Sequence, residues 1–557
     1  MRKRAANVDN SLDSILIHLG DFGKYQTYVF SLVCVAVVMH SMVHIAYVFT
    51  AMNLDYRCKI PQCDQEGQAE YLQPWLNHAI PFINNHPDKC SRYASSDQFN
   101  NCSSAGFDIQ VLERCGSFVY NGTEETILQE YGLQCDNNLW KLTMVGTVNN
   151  IGQFFGLIIS GIISDKYGRK FLLVWGMILC AVCGCAKAFM PTYEWFLTFE
   201  FLDAAFGSGS YICGFVLGAE LVGPSKRVLT GTLISSCYAV GEILVALIAW
   251  LVKSWKYIVL TSYIPIFLLV SYLWLIPESV RWNLSNGRIE EAKKTLRKAA
   301  KVNGKKISEK ELEFLDAVVL SIFADQAESS ESLGKSGNLV LEAVKSGTLM
   351  LRLVACCVCW ITCTFLFYGL TLNSVSLVAG NNYLDFILTA LVEIPAYFAC
   401  NFIVNKYGRK KTLVYSYLLT GAACLAFVFI PPASRWGSLS VYLIGKFGAT
   451  ASFTILYIIT SEMFPTNLRH SFMGTCSTFG RCGSMISPQT PLLAQFWEPL
   501  PLVSFAAMSI LAGLLTLLFP ETLHQKLPDT VYEAEMIGRP ILPAGEPEKQ
   551  QHTVERF

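Results

Sequence analysis

The sequence predicts an all-α polytopic membrane protein, with twelve transmembrane helices arranged in two pseudo-symmetric six-helix bundles. Three observations carry this prediction: the composition, the long apolar segments and an internal repeat. Of the 557 residues, 52% are hydrophobic and only 15% are charged. About twelve segments of 19 or more mostly apolar residues are each long enough to cross a hydrocarbon core of ~30 Å. Soluble proteins rarely contain so many segments of this kind.

The internal repeat indicates a duplicated unit of about 240 residues. The sequence KYGRK occurs at 166–170 and again at 406–410, each time between two apolar segments. Two further pairs of motifs recur at nearly the same offset: Glu220 with Arg227 against Glu462 with Arg469, and the Pro-Glu at Pro277 against that at Pro520. Three pairs of motifs repeated at one sequence offset predict two six-helix halves of related structure.

The predicted organisation follows from these segments. Residues 1–25 form an N-terminal region without a signal peptide, in which Leu12, Ile15, Leu16 and Leu19 share one face of an interfacial helix. The first bundle covers 26–276, a cytoplasmic linker 277–347, the second bundle 348–522 and a tail 523–557. The predicted segments are 26–50, 141–163, 171–190, 194–219, 229–252, 256–276, 350–370, 383–404, 411–430, 438–461, 470–495 and 501–519.

A polar insert at 51–139 separates the first two segments. Two N-glycosylation sequons lie in this insert, at Asn101 and Asn121. Cysteines and sequons together indicate an oxidising, extracellular space and a disulfide-stabilised loop. The pairing of the cysteines cannot be read from the sequence. The cysteines of the insert are Cys58, Cys63, Cys90, Cys102, Cys115 and Cys135.

The distribution of charge predicts the orientation, although the formal net charge of the chain is zero. Basic residues are concentrated in the connections 2–3, 4–5, 6–7, 8–9 and 10–11, and the opposite connections contain few. The positive-inside rule therefore places both termini and the 277–347 span in the cytoplasm, and the cysteine-rich insert outside. A third sequon, at Asn283, falls on the cytoplasmic side and is expected to be unused.

Several motifs resemble a known family. The motif G-x-x-x-D-x-x-G-R-K between segments 2 and 3, in a twelve-span duplicated chain, resembles the major facilitator superfamily. PESVRW after segment 6, VEIPAY in segment 8, GKFGATASFTILYIITSEMFPTNLR across segment 10 and the large sequon-bearing loop resemble solute carrier family 22. The similarity is greatest to its organic cation and carnitine transporters, and it covers about residues 11–535. It implies a plasma-membrane transporter.

The repeated turns are candidate gating elements. Gly168 permits a tight cytosolic turn, and the basic residues beside it hold that turn at the inner interface. Asp165 can pair with a basic group or a helix N-terminus of the other half, which forms a latch. The second copy has Asn405 in the equivalent place, so we expect the latch to be asymmetric. Predicted gating residues are Asp165, Gly168, Arg169, Lys170, Gly408 and Arg409, with the ion pairs Glu220–Arg227 and Glu462–Arg469.

Among the charged residues inside the apolar segments, four stand out: Glu242, Glu393, Lys446 and Arg481. Each costs about 2.5–3.5 kcal/mol at a helix centre unless it faces a cavity or a partner. They are therefore candidate substrate-binding residues. The alternative is a purely internal salt bridge, for example between Glu393 and Arg481.

Arg481 carries the most specific expectation from the family resemblance. Cation-selective members have an Asp at this position, whereas carnitine-type and anion-type members have an Arg. A buried Arg can clamp a carboxylate with two hydrogen bonds, and Glu242 and Glu393 can bind an ammonium. Aromatic residues on the same segments are predicted to surround that cation, although packing alone would also explain them. They are Tyr211, Tyr238, Trp360, Phe367, Tyr368 and Phe453.

His40 and His44 lie one turn apart on one face of segment 1. Sodium-coupled carnitine carriers have an Asn at the position of His40, which argues against sodium coupling here. A His can bind a proton or simply hydrogen-bond to a neighbouring helix. The coupling ion, Na⁺ or H⁺, is left open.

The sequence thus favours a transporter of small organic cations or zwitterions that works by alternating access between the halves. An organic anion carrier that uses Arg481 and Lys446 is the alternative, and a receptor acting through the cysteine-rich loop is more remote. The chain has no metal-ligand cluster, nucleophile elbow or phosphate-binding loop of an enzyme, and no cofactor is expected. The expected partners are the small-molecule substrate and the lipid bilayer, not nucleic acid.

Overall fold

The computed structural model describes residues 12–64, 70–83, 86–95, 102–308, 312, 343–377, 380–431, 434–466, 468–525, 527–528 and 530–537. Among these residues, ten helices are long and apolar enough to cross a membrane. The two remaining predicted segments correspond to Arg469–Ile486 and to Leu500–Thr516, a shorter apolar helix. The predicted sequence of spans is therefore visible as helices.

The chain begins with a short helix that the sequence predicted to be interfacial. Helix α1 covers 12–19, and its apolar face, formed by Leu12, Ile15, Leu16 and Leu19, is buried in the main hydrophobic core. That face packs against the protein itself. The helix at Ile289–Asn303 lies beside it, and its last residue, Asn303, donates to the Leu19 carbonyl at 3.0 Å. The first span follows as α2 (Lys24–Ile45) and its continuation α3 (Tyr47–Thr50).

The insert after the first span folds into three two-stranded antiparallel sheets, which pair β1 with β6, β2 with β3 and β4 with β5. Its disulfides are Cys58–Cys115, Cys63–Cys102 and Cys90–Cys135, so all six predicted cysteines are paired. Asn121 is exposed, and Asn101 lies outside the described residues. The elements are β1 (Tyr56–Cys58), α4 (Leu76–Ala79), β2 (Phe82–Ile83), β3 (His86–Pro87), β4 (Ser91–Ser95), β5 (Phe107–Arg114), β6 (Phe118–Tyr120) and α5 (Ile127–Glu130).

A buried ion pair supports the small core of this insert. Arg57 and Asp64 are almost fully buried, with Nη2 and Oδ1 2.7 Å apart. Arg57 also donates to the carbonyls of Cys58, Tyr71 and Glu70. The guanidinium thereby satisfies backbone acceptors that so small a domain cannot satisfy by sheet pairing alone.

The first half of the membrane domain consists of α2 to α11. After the insert its helices are α6 (Leu139–Tyr167), α7 (Arg169–Lys187), α8 (Tyr193–Leu221), α9 (Arg227–Val252), α10 (Trp255–Tyr263) and α11 (Tyr272–Leu275). A 3₁₀ segment, Ile264–Ser271, joins α10 to α11 so that Trp255–Leu275 forms one span. Pro265 at the start of this segment lacks the N–H that an α-helix would need, which explains the change of helix type.

Two helices follow the first half, α12 (Val280–Ser285) and α13 (Ile289–Asn303). The second half consists of α14 to α21: α14 (Gly347–Leu377), α15 (Asn382–Leu391), α16 (Glu393–Tyr407), α17 (Arg409–Val428), α18 (Arg435–Met463), α19 (Arg469–Ile486), α20 (Thr490–Leu493) and α21 (Leu500–Thr516). The tail contributes α22 (Val531–Met536). Its carbonyls at Ala534 and Ile537 accept hydrogen bonds from the buried Arg352 of α14.

The repeated turns separate α6 from α7 and α16 from α17. Gly168 and Gly408 adopt φ values of 105° and 99°, a region that residues with a Cβ rarely occupy. A Cβ at Gly168 would collide with the carboxylate of Glu278, and one at Gly408 with that of Glu521. Glycine is therefore required at both turns for conformation and for space.

Candidate substrate-binding site and repeated turns

The central feature of the second half is a buried ion pair between α16 and α18. Lys446 Nζ lies 2.8 Å from Glu393 Oε1, and neither side chain is exposed. The ammonium also donates to Thr371 Oγ1 at 2.6 Å and to the Phe367 carbonyl at 3.1 Å. It sits 3.7 Å from the centroid of the Phe367 ring. Lys446 is thus held on four sides, in the type of aromatic and carboxylate environment that binds ammonium ions.

This arrangement corrects the suggested Glu393–Arg481 salt bridge. The partner of Glu393 is Lys446, because α16 and α18 are neighbours within the same half. Glu393 Oε2 also accepts a hydrogen bond from Tyr397, one turn further along α16, at 3.1 Å. Arg481, on α19, is left to face a different part of the molecule.

Glu242, on α9 of the first half, differs from Glu393. It is fully buried, and within the described part of the chain neither carboxylate oxygen has a hydrogen-bond donor. It interacts electrostatically with Glu393 and Lys446 across the boundary between the halves. The Glu393 carboxylate lies within hydrogen-bonding reach of it, but an ionised carboxylate is an acceptor and supplies no donor. A buried carboxylate without a donor is energetically unfavourable, and the addition of a cation removes that penalty.

Rings from both halves form a continuous aromatic lining near these charges. On the first half, Tyr211 contacts Tyr238 with centroids 5.6 Å apart, and His44 contacts Tyr238 at 6.0 Å. His44 also meets Tyr368 of the second half at 6.0 Å. The lining then continues through Phe367, Phe453, Tyr457 and Trp360 at centroid separations of 5.3, 5.1, 5.4 and 4.4 Å. All six predicted aromatic residues belong to this one lining.

Arg481 joins the lining from α19. It is only partly buried, it hydrogen-bonds to the Tyr368 hydroxyl, and it interacts electrostatically with His40 and His44 of the first half. The two histidines stack with centroids 5.8 Å apart, and His44 Nδ1 lies 2.5 Å from the Tyr238 hydroxyl. Arg481 therefore lies at the junction of the two halves, beside the predicted histidine pair.

The sequence analysis overlooked two tyrosines of this site. Tyr397 contacts Glu393, and Tyr457 packs between Phe453 and Trp360. Each lies four residues after a predicted site residue, so the helical spacing places it on the same face. That spacing was the available signal. Trp360 itself is deeply buried and donates its Nε1 hydrogen to Thr460 at 3.1 Å.

The halves also meet through aromatic residues near the ends of the helices that adjoin the cysteine-rich insert. Phe49 of α3 contacts Tyr383 at 5.8 Å and Phe386 at 5.0 Å between centroids. Trp250 of α9 stacks on Tyr383 with ring planes 5° apart. Thr147 of α6 adds a hydrogen bond to the Met485 carbonyl at 3.0 Å. These contacts join the halves on the insert side of the charged residues.

At the opposite ends, the repeated turns have matching carboxylate caps. Glu278 accepts hydrogen bonds from the backbone N–H groups of Arg169 and Lys170 at 3.0 and 3.2 Å. Glu521 does the same for Arg409 and Lys410 at 2.8 and 3.2 Å. A carboxylate is favourable at the N-terminus of a helix, where N–H groups lack partners. The Pro-Glu repeat and the KYGRK repeat thus form one unit, present twice.

Asp165 has a partner within its own half rather than across the halves. Its carboxylate lies 3.2 Å from Arg169, four residues later, and is largely exposed. The i,i+4 spacing on α6 and the adjoining turn brings the two together. Asn405 instead donates to the Asn401 carbonyl at 2.9 Å. The two copies therefore differ, but the predicted pairing of Asp165 with the other half is wrong, because its partner is Arg169 of its own half.

The predicted pair Glu220–Arg227 is replaced by other contacts. Glu220 accepts a hydrogen bond from Ser279, and Arg227 lies 2.6 Å from Asp13 of α1. Asp13 also pairs with Arg281 of α12 at 2.5 Å. Since α1 lies between these basic residues, its carboxylate takes the position that the sequence assigned to Glu220.

In the second half, Glu462 pairs with Arg409 at 3.1 Å instead of with Arg469. It also accepts a hydrogen bond from Thr522 at 2.6 Å, the counterpart of the Ser279–Glu220 contact. The next turn of the chain after α18 carries Arg469 to the start of α19, away from this carboxylate. The predicted Glu462–Arg469 pair is therefore wrong. Glu220 and Glu462 are nevertheless equivalent, since each accepts a hydrogen bond from the hydroxyl that follows the Pro-Glu motif of its half.

Comparison with known proteins identifies the family. The Major Facilitator Superfamily profile matches residues 109–488 and 387–546. The chain is 31% identical to solute carrier family 22 member 1 of Bos taurus, over 96% of this chain and 94% of that protein. It is 30% identical to the organic cation transporter protein of Drosophila melanogaster, over 95% and 96%. The chain belongs to solute carrier family 22.

Solved structures agree with the fold of this solute carrier. The partially occluded inward-open form of the xylose transporter XylE from E. coli matches with a TM-score of 0.56 at 14% identity, over 88% of this chain and 98% of that one. XylE bound to 6-bromo-6-deoxy-D-glucose matches with a TM-score of 0.57 at 14% identity, over 91% and 98%. These structures confirm the predicted two-bundle fold. The family profile and the curated relatives confirm the family, and with it a transporter instead of an enzyme.

Proposed function

We propose that this solute carrier moves small organic cations or zwitterions, such as carnitine, across the plasma membrane by alternating access. The observation that carries the proposal is Glu242. Its buried carboxylate has no hydrogen-bond donor among the described residues and faces the boundary between the halves. A substrate ammonium placed there supplies the missing counter-charge. The name of the Drosophila relative, organic cation transporter protein, supports the same substrate class.

The aromatic lining supports recognition of a cation rather than a metal ion. Tyr238 and Tyr368 both interact electrostatically with Glu242, so a cation beside the carboxylate also meets ring faces. Such contacts are worth about 2 kcal/mol when they are desolvated, and they suit quaternary amines, which cannot donate hydrogen bonds. The Lys446 ammonium over Phe367 illustrates the same chemistry within the protein.

Arg481 supports the zwitterionic subset of substrates. Glu242, Glu393, Lys446 and Arg481 together have a formal charge of zero. A zwitterion preserves this balance when its ammonium approaches Glu242 and its carboxylate approaches Arg481. The guanidinium can hold a carboxylate with two parallel hydrogen bonds. A simple cation satisfies only the first of these two interactions.

The alternative of an organic anion carrier receives less support. It requires Lys446 and Arg481 as anion ligands, but the Lys446 ammonium is fully buried and already bound by Glu393 and Thr371. An anion near Lys446 would also approach both carboxylates. Arg481 alone remains for an anion, and one cationic group suits a zwitterion equally well.

Alternating access and membrane orientation complete the proposal. The paired turns with their Glu278 and Glu521 caps form two similar cytoplasmic units around which the halves can rock, and the Phe49–Tyr383 contacts provide an external closure. The basic loops and the disulfide-bonded insert support cytoplasmic termini and an extracellular insert.

Uptake measurements with an Arg481→Asp variant test the proposal. Cells that express the wild type or the variant are supplied with radiolabelled carnitine, tetraethylammonium or a dicarboxylate, and uptake is normalised to surface protein. We expect wild-type uptake of carnitine and tetraethylammonium. The variant should lose carnitine uptake and retain that of tetraethylammonium, since only carnitine uses the guanidinium.

Three results would contradict parts of this proposal. Equal carnitine uptake by both forms would refute the role of Arg481. Uptake of the dicarboxylate alone would favour the organic anion carrier. No uptake of any probe by correctly inserted wild-type protein would refute transport of this class and favour a receptor that acts through the cysteine-rich loop.

A further inference from the structure

The first half contains a second group of buried ionisable residues that lies apart from the cavity residues described above. Lys187 ends α7, and Glu200 and Asp203 lie one turn apart on α8. Lys187 Nζ is 2.7 Å from Glu200 Oε2 and 2.5 Å from Asp203 Oδ2. All three side chains are at most 3% exposed. We call these residues the Lys187 cluster.

The formal charge of the Lys187 cluster is unbalanced. Two carboxylates share one ammonium, so the cluster carries a charge of −1 when all three groups are ionised. Within the described residues, Lys187 is the cation that pairs with Glu200 and with Asp203. A net charge buried at this depth is unfavourable, and a single proton on either carboxylate neutralises it. A salt bridge with a purely structural role would need only one of the two acids.

The groups that face the Lys187 cluster from neighbouring helices do not supply the missing positive charge. From α10, the Tyr263 hydroxyl lies 2.8 Å from Asp203 Oδ2 and 2.9 Å from Lys187 Nζ. From α6, Asn149 donates to Glu200 Oε1 at 2.8 Å. Among the described residues, the remaining titratable groups within electrostatic reach are a phenol on α3 and three thiols on α7. They are Tyr47, Cys180, Cys183 and Cys185.

A row of hydrogen bonds connects the Lys187 cluster to the aromatic lining of the candidate substrate site. Glu200 is bound by Asn149, and Asn149 Oδ1 accepts a hydrogen bond from Gln153 at 2.7 Å. Gln153 in turn hydrogen-bonds to His44, whose Nδ1 contacts the Tyr238 hydroxyl. Two side chains, Asn149 and Gln153, thus link Glu200 of the cluster to His44 of the aromatic lining. Protonation of Glu200 removes its charge and weakens it as an acceptor for Asn149, so the row offers a path by which this change can reach His44.

We propose that the Lys187 cluster is a proton-binding site whose protonation is coupled to substrate occupancy of the cavity. One proton adds to a carboxylate of Glu200 or Asp203 to form a carboxylic acid, and the same proton leaves when the cavity opens to the side of lower proton activity. The charge of the cluster alternates between 0 and −1. The coupling to substrate rests on the proposed transport function, whereas proton binding itself does not.

Infrared difference spectroscopy of the purified full-length protein tests proton binding without any transport. Spectra are recorded between acidic and alkaline buffer. We expect the wild type to show a pH-dependent C=O stretch of a protonated carboxylic acid that shifts in deuterated water. Glu200→Gln and Asp203→Asn should each abolish this band, because each leaves a balanced pair with Lys187. Asp165→Asn, at an exposed carboxylate, should retain it.

Each variant keeps one acid paired with Lys187, and we expect this neutral pair to preserve folding. If a variant is unstable, the wild-type spectrum alone tests whether the protein contains a carboxylic acid that titrates. Absence of a pH-dependent carboxylic acid band in the wild type would overturn the proposal. A band that persists in both Glu200→Gln and Asp203→Asn would also overturn it, since the proton would then reside elsewhere.

Proteoliposomes test the coupling. Uptake of carnitine and tetraethylammonium is measured with and without an inward proton gradient. At one proton per substrate, the gradient should raise wild-type accumulation by up to about tenfold per unit of pH. Glu200→Gln should lose this increase and retain exchange. Wild-type uptake that is the same with and without the gradient would refute the proposed coupling but not the proposed transport function. An infrared band without any uptake would refute the transport function and leave the proton site intact.

Discussion

Replacement of Lys446 by Met tests whether the ion pair between α16 and α18 is structural as well as functional. Lys446→Met removes the ammonium and retains most of the apolar stem, so the packing against Phe367 changes little. Glu393 then remains fully buried without its cation, and Glu242 lies nearby. We expect a clear loss of stability.

The magnitude follows from the geometry. At the 2.8 Å separation of Nζ and Oε1, the attraction is about 6 kcal/mol at an effective dielectric constant of ~20. Desolvation of both ions opposes this attraction. Removal of one partner from a buried pair is known to destabilise by about 3–5 kcal/mol, because the other charge is left uncompensated. We expect a loss in this range.

The assay is thermal unfolding of the purified protein, followed by intrinsic fluorescence. Lys446→Met should unfold at a lower temperature than the wild type, and Lys446→Met combined with Glu393→Gln should recover most of the difference. Tetraethylammonium should stabilise the single variant more than the double variant, because binding to the folded state raises its stability. A single variant as stable as the wild type, or a double variant no better than the single, would refute the reasoning.

Two further predictions concern regions outside the cavity. Asn121→Gln should remove a glycan and so increase the electrophoretic mobility of the protein from a eukaryotic host, because Asn121 is exposed in the disulfide-bonded insert. Asn283→Gln should leave the mobility unchanged, since Asn283 is buried on the predicted cytoplasmic side. A mobility change with Asn283→Gln would contradict the orientation. Asp13→Asn should make the N-terminal segment more sensitive to limited proteolysis, because the two arginines that hold α1 lose their shared carboxylate; unchanged cleavage kinetics would show that the apolar face alone fixes α1.

The fold could be predicted from the sequence because its determinants are local and repeated. Long apolar segments specify spanning helices whatever their neighbours are, and the recurrence of KYGRK specifies two related halves. The Gly168 and Gly408 turns were correctly located because glycine at a positive φ is a local requirement. The disulfide pattern was not predictable, since it depends on how the strands of the insert pair.

The site was predictable as a set of residues but not as a set of contacts. Charges within apolar segments had to face an interior, which correctly drew attention to Glu393 and Lys446. Their pairing with each other depends on which helices are adjacent, and this information is absent from a single segment. The same limitation explains why Glu220 and Arg227 were paired: the carboxylate that meets Arg227 comes from Asp13, more than two hundred residues away in sequence.

The Lys187 cluster shows a different limitation. Lys187 lies inside the predicted segment 171–190, and Glu200 and Asp203 lie inside the segment 194–219. The cost of a charge in an apolar segment was therefore an available signal, and the sequence analysis did not apply it to these residues. Only the packing of α7, α8 and α10 reveals that Lys187, Glu200 and Asp203 are buried together.

The central claim, that Glu242 supplies the counter-charge for a substrate cation, is tested most directly by equilibrium binding of tetraethylammonium to purified wild type and Glu242→Gln. The substitution keeps the shape of the side chain and removes its charge. Loss of a hydrogen-bonded or ionic contact to a charged group is worth about 1.5–3 kcal/mol, so we expect affinity to fall about ten- to a hundredfold. Glu113→Gln, at a half-exposed carboxylate of the insert, serves as the matched control and should bind like the wild type. Equal affinity of the wild type and Glu242→Gln would contradict the claim.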